Sequence, residues 1–247
     1  MDLLHAVLIF TIGCIVGLIN VLAGGGSFLT LAFLIAIGLP PNIANGTNRV
    51  GILLQNIFAS TKFYKLNILK LKFALIVSAP AIIGAILGSY IAIHIPNEIL
   101  KKTIAIFMVL ISLVTIYNPN KFSKNRNYSS KKWVFILVSF FLIGIYGGFI
   151  QAGVGFFIIA ASLWGGFNMV EANAIKVFII TLYTIIVLPL FIFSHQVNFL
   201  IGLLLGAGSI VGAKMAISLS VKKGDKFIRY VVLALLLVFA LKLLIIG

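Results

Sequence analysis

Polar side chains cluster at two places in a chain that is otherwise mostly apolar, in the stretches NIANGTNRVGILLQ (42–55) and EANAIKVF (171–178). The candidates for chemistry are the polar residues of these stretches: Asn45, Thr47, Asn48 and Arg49 in the first, and Glu171, Asn173 and Lys176 in the second. A guanidinium binds an oxyanion through parallel N–H donors, an ammonium adds a point charge, and amides and hydroxyls add neutral donors. These residue types predict recognition of a small anion.

The elements that must position these residues are membrane helices. Of the 247 residues, 62% are hydrophobic and 9% are charged, and the mean hydropathy is +1.23, which leaves too little polar surface for a water-soluble domain. The net charge of +15 comes from bases that fall mostly between apolar runs, a pattern that orients membrane proteins and does not indicate nucleic-acid binding. Because residues 3–22 lack a basic leader and a cleavage site, we expect a first transmembrane helix there, not a signal peptide.

The helices are of two lengths. Crossing ~30 Å of hydrocarbon takes about 20 residues. Eight runs are long enough, namely 3–22, 43–60, 73–93, 99–117, 133–150, 172–193, 198–220 and 226–246. Two apolar runs, 28–37 and 156–166, are about half as long, and each follows a glycine-rich break, AGGGS or AGVG. We therefore predict two glycine-broken, re-entrant half-helices.

The two half-helices belong to an internal duplication. AGGGSF pairs with AGVGFF at an offset of 129, and GLPPNIAN pairs with GFNMVEAN at an offset of 128. The long polar stretch 118–132 separates the copies. We predict one all-α membrane domain with repeats at 1–117 and 133–247. The Gly-x-x-x-Gly pairs Gly84/Gly88 and Gly208/Gly212 predict helix-packing faces.

The distribution of bases favours inverted repeats. If each half-helix returns to the membrane face that it left, one face carries the connections 61–72, 118–132 and 221–229. That face then holds thirteen basic residues, whereas the opposite face holds only Lys101 and Lys102. If each broken unit is instead one ordinary crossing, the repeats are parallel and the split is nine to six. The positive-inside rule therefore predicts inverted repeats with both termini outside the cell.

A cation at membrane depth costs between ~2.5 and over ~10 kcal/mol unless something neutralises it. Arg49 and Lys176 lie one to two turns into helices that follow the breaks, and the chain has only four acids to pair with them. We predict that an anionic substrate is their counterion, bound near exposed helix N-termini. Further candidates beside the breaks are Gly25, Gly26, Ser27 and Gln151.

Structural roles for the same residues stay open at this point. Arg49 could reach a membrane face or pair with Glu171, and Lys176 could lie at an interface. The asparagines could cap or bridge helices, and the glycines could serve only the chain breaks.

The first half resembles a known family. GLINVLAGGGSFLTLAFLIAIGLPPNIANGTNRV is similar to the signature of the sulfite exporter TauE/SafE family, with Ala44, Gly46 and Thr47 opening the helix after the elbow. The second half departs from it, since Ala172-Asn173-Ala174-Ile175 has no Gly-Thr. The resemblance implies a permease for sulfur-containing or organic anions in a prokaryotic plasma membrane.

Together these features predict a secondary transporter of sulfite, thiosulfate, organosulfonates or carboxylates that works by alternating access. No nucleophile–base pair, metal-ligand spacing or nucleotide-binding loop is present in the sequence, so we expect no enzyme activity, metal or cofactor. If H⁺ is the coupling ion, Glu171 is the candidate carrier. An anion channel and a non-transport assembly partner are the alternatives, and the sequence leaves the oligomeric state open.

Overall fold

The structure, a computed structural model, describes residues 3–22, 24–104, 106 and 130–246, with side chains in the last range given for 131–223. Regular structure in these ranges is entirely helical. The helices are α1 (Leu3–Leu22), α2 (Gly26–Ala36), α3 (Pro41–Lys65), α4 (Leu71–His94), α5 (Ser130–Phe149), α6 (Val154–Trp164), α7 (Met169–Phe193) and α8 (Phe199–Ile246). Residues 97–104 are helical as well.

Helix length and composition confirm the predicted class, an all-α polytopic membrane protein. Within the described ranges, five helical segments are long and apolar enough to span a membrane: Leu3–Leu22, Leu71–His94, Lys131–Phe149, Met169–Phe193 and Phe199–Lys223. Helix α3 is not one of them, because the polar residues in its first half lower its hydropathy. Both predicted half-helices are present as α2 and α6, with 11 residues each.

Each half-helix follows a sharp change of chain direction. Gly24 has φ +91°, and Gly153, the residue before α6, has φ +74°. Only glycine adopts such angles without a steric cost from Cβ, which explains the glycine-rich breaks. Helix α3 then begins with Pro41 in its first turn, and α7 begins at a capping box between Asn168 and Glu171.

The long helices pack in two pairs through glycine faces. Gly13 and Gly17 of α1 meet the backbone of α8 around Gly208, and Gly212 of α8 meets α1 near Cys14. In the same way, α4 and α5 meet through the faces Gly84/Gly88 and Gly144/Gly148. The packing role predicted for the Gly-x-x-x-Gly pairs is confirmed. Because each repeat's first helix packs on a late helix of the other repeat, the halves interlock. Their inverted relation stays a prediction.

One predicted boundary is wrong. Residues 198–220 and 226–246 were expected to be separate helices joined by a connection at 221–229, but the backbone is helical without interruption from Phe199 to Ile246. The charged residues of KKGDKFIR predicted a break because they cannot lie in hydrocarbon. Charged residues do not interrupt a helix, however, and a single glycine lowers helix stability by only about 1 kcal/mol.

The region around the predicted linker is described only at its edges. Of the predicted run 99–117, residues 99–104 and 106 are described and helical. The stretch 107–129 lies outside the described residues, and 130–132 form the first turn of α5 instead of the end of a linker.

Candidate functional site

The two glycine breaks meet inside the protein. A Cβ built on Gly24 would lie 2.7 Å from Cα of Gly155, and one built on Gly155 would lie 2.6 Å from Cα of Gly24. Two backbones that approach this closely leave no room for a side chain on either residue. The chain breaks of the two repeats therefore form one structural centre, and Lys176 lies beside it, with its Cδ 3.0 Å from the built Cβ of Gly155.

Lys176 reaches from α7 to the end of α1. Its side chain is 1% exposed, and Nζ donates to the carbonyl oxygens of Asn20 (2.7 Å) and Val21 (3.1 Å). These carbonyls belong to the last turn of α1, the negative end of the helix dipole. An ammonium has three donors, so one N–H remains for a ligand.

Lys176 also lines a small buried cavity. The other polar residues of its lining are Asn20, Ser27, Gln55, Asn56 and Gln151. Its volume is about 10 Å³, which is roughly the space that one water needs. In this conformation the free space beside Lys176 is therefore too small for a ligand larger than a water molecule.

Hydrogen bonds among the lining residues use only part of their polar capacity. Asn20 Oδ1 accepts from the backbone N–H of Ser27 (3.0 Å) and from its hydroxyl (3.2 Å). Gln55 Nε2 donates to Asn56 Oδ1 (3.2 Å), and Gln151 Nε2 donates to Thr184 Oγ1 (2.9 Å). Within the described part of the chain, the Oε1 atoms of both glutamines are buried without a hydrogen-bond partner.

Arg49 is fully buried at a second, separate position. Its guanidinium donates to the carbonyl oxygens of Gly147 (3.3 Å), Gly148 (2.5 Å) and Phe149 (3.5 Å) at the end of α5, and it lies 4.3 Å from the ring centroid of Phe191. One turn earlier, Asn45 Nδ2 donates to the same carbonyl of Phe149 (2.8 Å). Arg49 is not part of the lining of the Lys176 cavity.

The two cations thus have corresponding positions. Arg49, from the first repeat, binds the carbonyl end of α5 beside the second break, whereas Lys176, from the second repeat, binds the carbonyl end of α1 beside the first break. Sequence reasoning looked for acidic partners and, finding few, inferred a missing anion. The carbonyl ends of helices are a partial counter-charge that no count of acidic residues reveals.

The family-like motif in α3 contacts the connection before α8. Thr47 Oγ1 accepts from the backbone N–H of Asn198 (2.9 Å), and a Cβ on Gly46 would overlap the carbonyl oxygen of Gln196. Asn48 Nδ2 and both amide atoms of Asn173 are buried and have no partner among the described residues. The motif therefore joins two elements, while Asn48 and Asn173 keep unused polar groups.

Glu171 lies outside the cavity lining and is bonded elsewhere. Its carboxylate is 3.1 Å from Lys70 Nζ, and it accepts from the backbone N–H of Asn168 (3.2 Å) in the capping box. The alternative in which Arg49 pairs with Glu171 is not what the structure has, because the partners of Arg49 are carbonyls. A role of Glu171 in proton coupling stays a prediction.

The structure brings together three of the predicted site residues, Ser27, Gln151 and Lys176, in one cavity. Gly25 and Gly26 serve close packing instead: a Cβ on the first would overlap the ring of Phe156, and one on the second would overlap the carbonyl of Val16.

Three polar residues of the lining, Asn20, Gln55 and Asn56, are not among the predicted site residues. The available signal for Asn20 was a lone amide in an apolar helix, a few residues before a glycine break.

Comparisons with known proteins agree with this architecture. The family described as "Sulfite exporter TauE/SafE" matches residues 9–243. The chain is 28% identical to "Probable membrane transporter protein ORF9" of Sinorhizobium sp over 96% of the chain and 91% of that protein. It is also 28% identical to "Probable membrane transporter protein YfcA" of Escherichia coli (strain K12), over 96% of the chain and 88% of that protein. A "Probable membrane transporter protein" of Haemophilus influenzae is 28% identical over 90% of the chain and 88% of that protein.

No solved structure matches the chain. The family match extends over both repeats and includes α3, α7 and the two breaks, and the relatives are named as membrane transporters. The chain is thus a multi-pass membrane transporter and belongs to the sulfite exporter TauE/SafE family.

Proposed function

We propose that this membrane transporter is a secondary transporter of small anions and that the anion binds in the cavity beside Lys176. The name of the family points to sulfite as the first substrate to test, with thiosulfate, organosulfonates and carboxylates as related candidates. We place the protein in the plasma membrane of a prokaryote, with the N-terminus outside the cell. The predicted position of the C-terminus outside the cell required a turn at 221–229, which the continuous helix α8 does not have.

The single observation that carries the proposal is the Lys176 ammonium at a closed polar cavity between the breaks. Its two carbonyl partners stabilise the charge but leave one N–H donor for a ligand. Buried cations in membrane helices mark substrate pathways more often than they serve packing. An oxyanion next to Lys176 gains a charge-assisted hydrogen bond in surroundings where water screens little.

The size of the cavity and its position support alternating access. A space of about 10 Å³ cannot hold sulfite, so the helices around it must separate for binding. The contact between Gly24 and Gly155 joins elements of both repeats, and relative movement of the repeats would open the cavity to one face at a time.

In the proposed mechanism Arg49 positions the second break and does not bind the anion in this conformation. Its three carbonyl contacts fix the end of α5 beside Gln151, a residue of the cavity lining. A direct, bidentate contact between Arg49 and an oxyanion stays a prediction for a conformation in which these carbonyls are released.

Flux of radiolabelled sulfite into liposomes that contain the purified protein tests the proposal. We expect flux that saturates with sulfite concentration and that is accelerated by unlabelled sulfite on the opposite side, since a carrier exchanges substrate across the membrane. Unitary conductance steps in a planar bilayer would support an anion channel instead. Absence of movement for every candidate anion would contradict transport and favour a role as an assembly partner.

Two lysine variants link the flux to the cavity. Lys176→Gln removes the buried charge and is expected to reduce sulfite flux at least tenfold. Lys214→Gln, at an exposed position on α8 outside the lining, is the matched control and should retain wild-type flux. Equal flux in both variants would place the anion site elsewhere in the protein.

A further inference from the structure

We propose that the anion recognised at Lys176 is a monoanion that also carries a hydrogen-bond donor of its own, such as a hydroxyl group or an acid proton. This inference rests on the proposed function of the same cavity. It follows from the balance of charges, donors and acceptors in the lining.

The charge of the lining favours a single negative charge on the ligand. Lys176 is the one cation among the described lining residues, and none of these residues is acidic. A dianion would bring a second negative charge into a buried space without a partner, at a high cost in desolvation.

One donor of the lining is fixed by its own hydrogen bonds. Asn20 Oδ1 accepts from the backbone N–H of Ser27, and a backbone N–H can only bond to the oxygen end of an amide. The orientation of this side chain is therefore determined, and its Nδ2 is the end that can donate to an anion. Asn20 and Lys176 together form the anion-binding part of the lining.

Acceptors are present beside these donors. Gln55 and Asn56 are bonded to each other, amide to amide. The hydrogen bond between the two amides uses one N–H and one carbonyl oxygen. The pair therefore keeps an N–H₂ group and a carbonyl oxygen for a ligand, and the same holds if both amide groups are rotated by 180°. As oriented, the oxygen is Gln55 Oε1, which is buried without a partner among the described residues.

Gln151 does not have a fixed amide orientation, because the Thr184 hydroxyl, to which its Nε2 is bonded, can donate as well as accept. The acceptor of the lining is therefore the free oxygen of the Gln55–Asn56 pair. An oxyanion without protons offers only acceptors, so next to this oxygen it would meet repulsion and leave it unsatisfied. An anion with a hydroxyl group satisfies both parts of the site, the donors with its charged end and a glutamine oxygen with its O–H.

Three organosulfonates built on the same two-carbon chain test these effects, because their charge does not change near neutral pH. Ethanesulfonate is a monoanion without a donor, 2-hydroxyethanesulfonate is a monoanion with a donor, and ethane-1,2-disulfonate is a dianion. Each competes with labelled sulfite for uptake by liposomes that contain the wild-type protein. We expect 2-hydroxyethanesulfonate to inhibit at a concentration about tenfold or more below that of ethanesulfonate, and the disulfonate to be the weakest.

A double variant assigns this preference to the lining. Gln55→Met together with Asn56→Leu keeps the size of both side chains and removes the acceptor of the pair whichever way the two amides are oriented, and we expect it to bring the inhibition ratio of the two monoanions close to one. The matched control is Gln196→Met, which removes another buried glutamine that lies outside the cavity and whose Oε1 has no partner in the described part of the chain. The control should keep the wild-type ratio.

The outcomes distinguish this inference from the proposed function. If both monoanions compete equally with sulfite in the wild type, the inference is wrong, but transport at Lys176 stands. The glutamine oxygens would then bind one water molecule, which a cavity of this size accommodates. A preference that persists in the double variant of Gln55 and Asn56 also overturns the inference. If none of the sulfonates competes and sulfite itself does not move, the proposed function fails together with it.

Discussion

Gly24 and Gly155, which belong to different repeats, lie backbone to backbone where the two chain breaks meet. The contact joins Gly24, in the connection between α1 and α2, to the first turn of α6. In the proposed alternating-access mechanism the two halves of the chain move against each other, so their contact must be close enough to seal the cavity and must allow sliding. Glycine on both sides provides such a surface.

Gly155→Ala tests this contact. Because the added methyl group would lie 2.6 Å from Cα of Gly24, the backbones must separate, and overpacking of this kind costs typically about 1–3 kcal/mol. We expect a lower melting temperature of the purified protein and loss of sulfite flux. Gly51→Ala is the control, since its methyl group would lie 3.3 Å from the nearest atom, Cβ of Leu205. Equal melting temperatures for the two variants would contradict the contact.

Replacement of Arg49 separates positioning from substrate binding. Arg49→Gln removes charge-assisted bonds to three carbonyls of α5, so we expect the free energy of unfolding to fall by about 3 kcal/mol or more. The variant that keeps the charge, Arg49→Lys, should recover part of that loss. Lys62→Gln, an exposed position on the same helix, is the control. Thermal unfolding in detergent gives the stabilities, and flux gives the KM of any remaining transport.

The KM decides between the two roles of Arg49. Since Arg49 lies outside the cavity lining, we expect little change in the KM for sulfite. A large increase in KM with unchanged stability would instead show that the guanidinium binds the anion directly, as the sequence alone suggested.

Thr47 gives a test of the family-like motif. Thr47→Val keeps the shape of the side chain and removes the acceptor for the backbone N–H of Asn198, leaving that donor unsatisfied at a cost of about 1–3 kcal/mol. Thr47→Ser keeps the hydroxyl and should be close to wild type. Melting temperatures check the difference between the two. An increase in the KM for sulfite in Thr47→Val, without loss of stability, would argue for substrate contact instead.

Glu171 tests the source of energy. The carboxylate is bonded to Lys70 and to the capping box, so Glu171→Gln should keep the cap and lose only a partly exposed ion pair, worth at most about 1 kcal/mol. We expect sulfite uptake driven by a pH gradient to be the same as in the wild type. Uptake that no longer responds to the gradient, with sulfite exchange intact, would identify Glu171 as the proton carrier.

Much of the fold could be predicted from the sequence, because the properties that determine it are local. Apolar run lengths define α1, α4, α5 and α7, and glycine-rich breaks define the half-helices α2 and α6. Spacing of Gly84 and Gly88 was enough to predict a packing face. The continuity of α8 was not predictable in this way, because a cluster of charges is compatible with both a loop and a helix outside the hydrocarbon.

The buried charged residues could be predicted from the sequence, but their hydrogen-bond partners could not. A cation in an apolar helix is visible in the sequence, so Arg49 and Lys176 were found, but the carbonyl ends of α1 and α5 become partners only through tertiary packing. For the same reason both cations were predicted to bind the anion. The packing separates them, since Lys176 lines the cavity and Arg49 does not.

The location of a bound heavy analogue tests the central claim most directly. Selenite has the shape and charge of sulfite and scatters anomalously, so crystals of the protein grown with it reveal where the anion lies. We predict one anomalous peak, from a selenite whose oxygen atoms lie about 2.7–3.2 Å from Nζ of Lys176 and from Nδ2 of Asn20. This peak should be absent from crystals of Lys176→Gln. Peaks found only at Arg49 or at exposed lysines such as Lys62, with none at Lys176, would contradict the account.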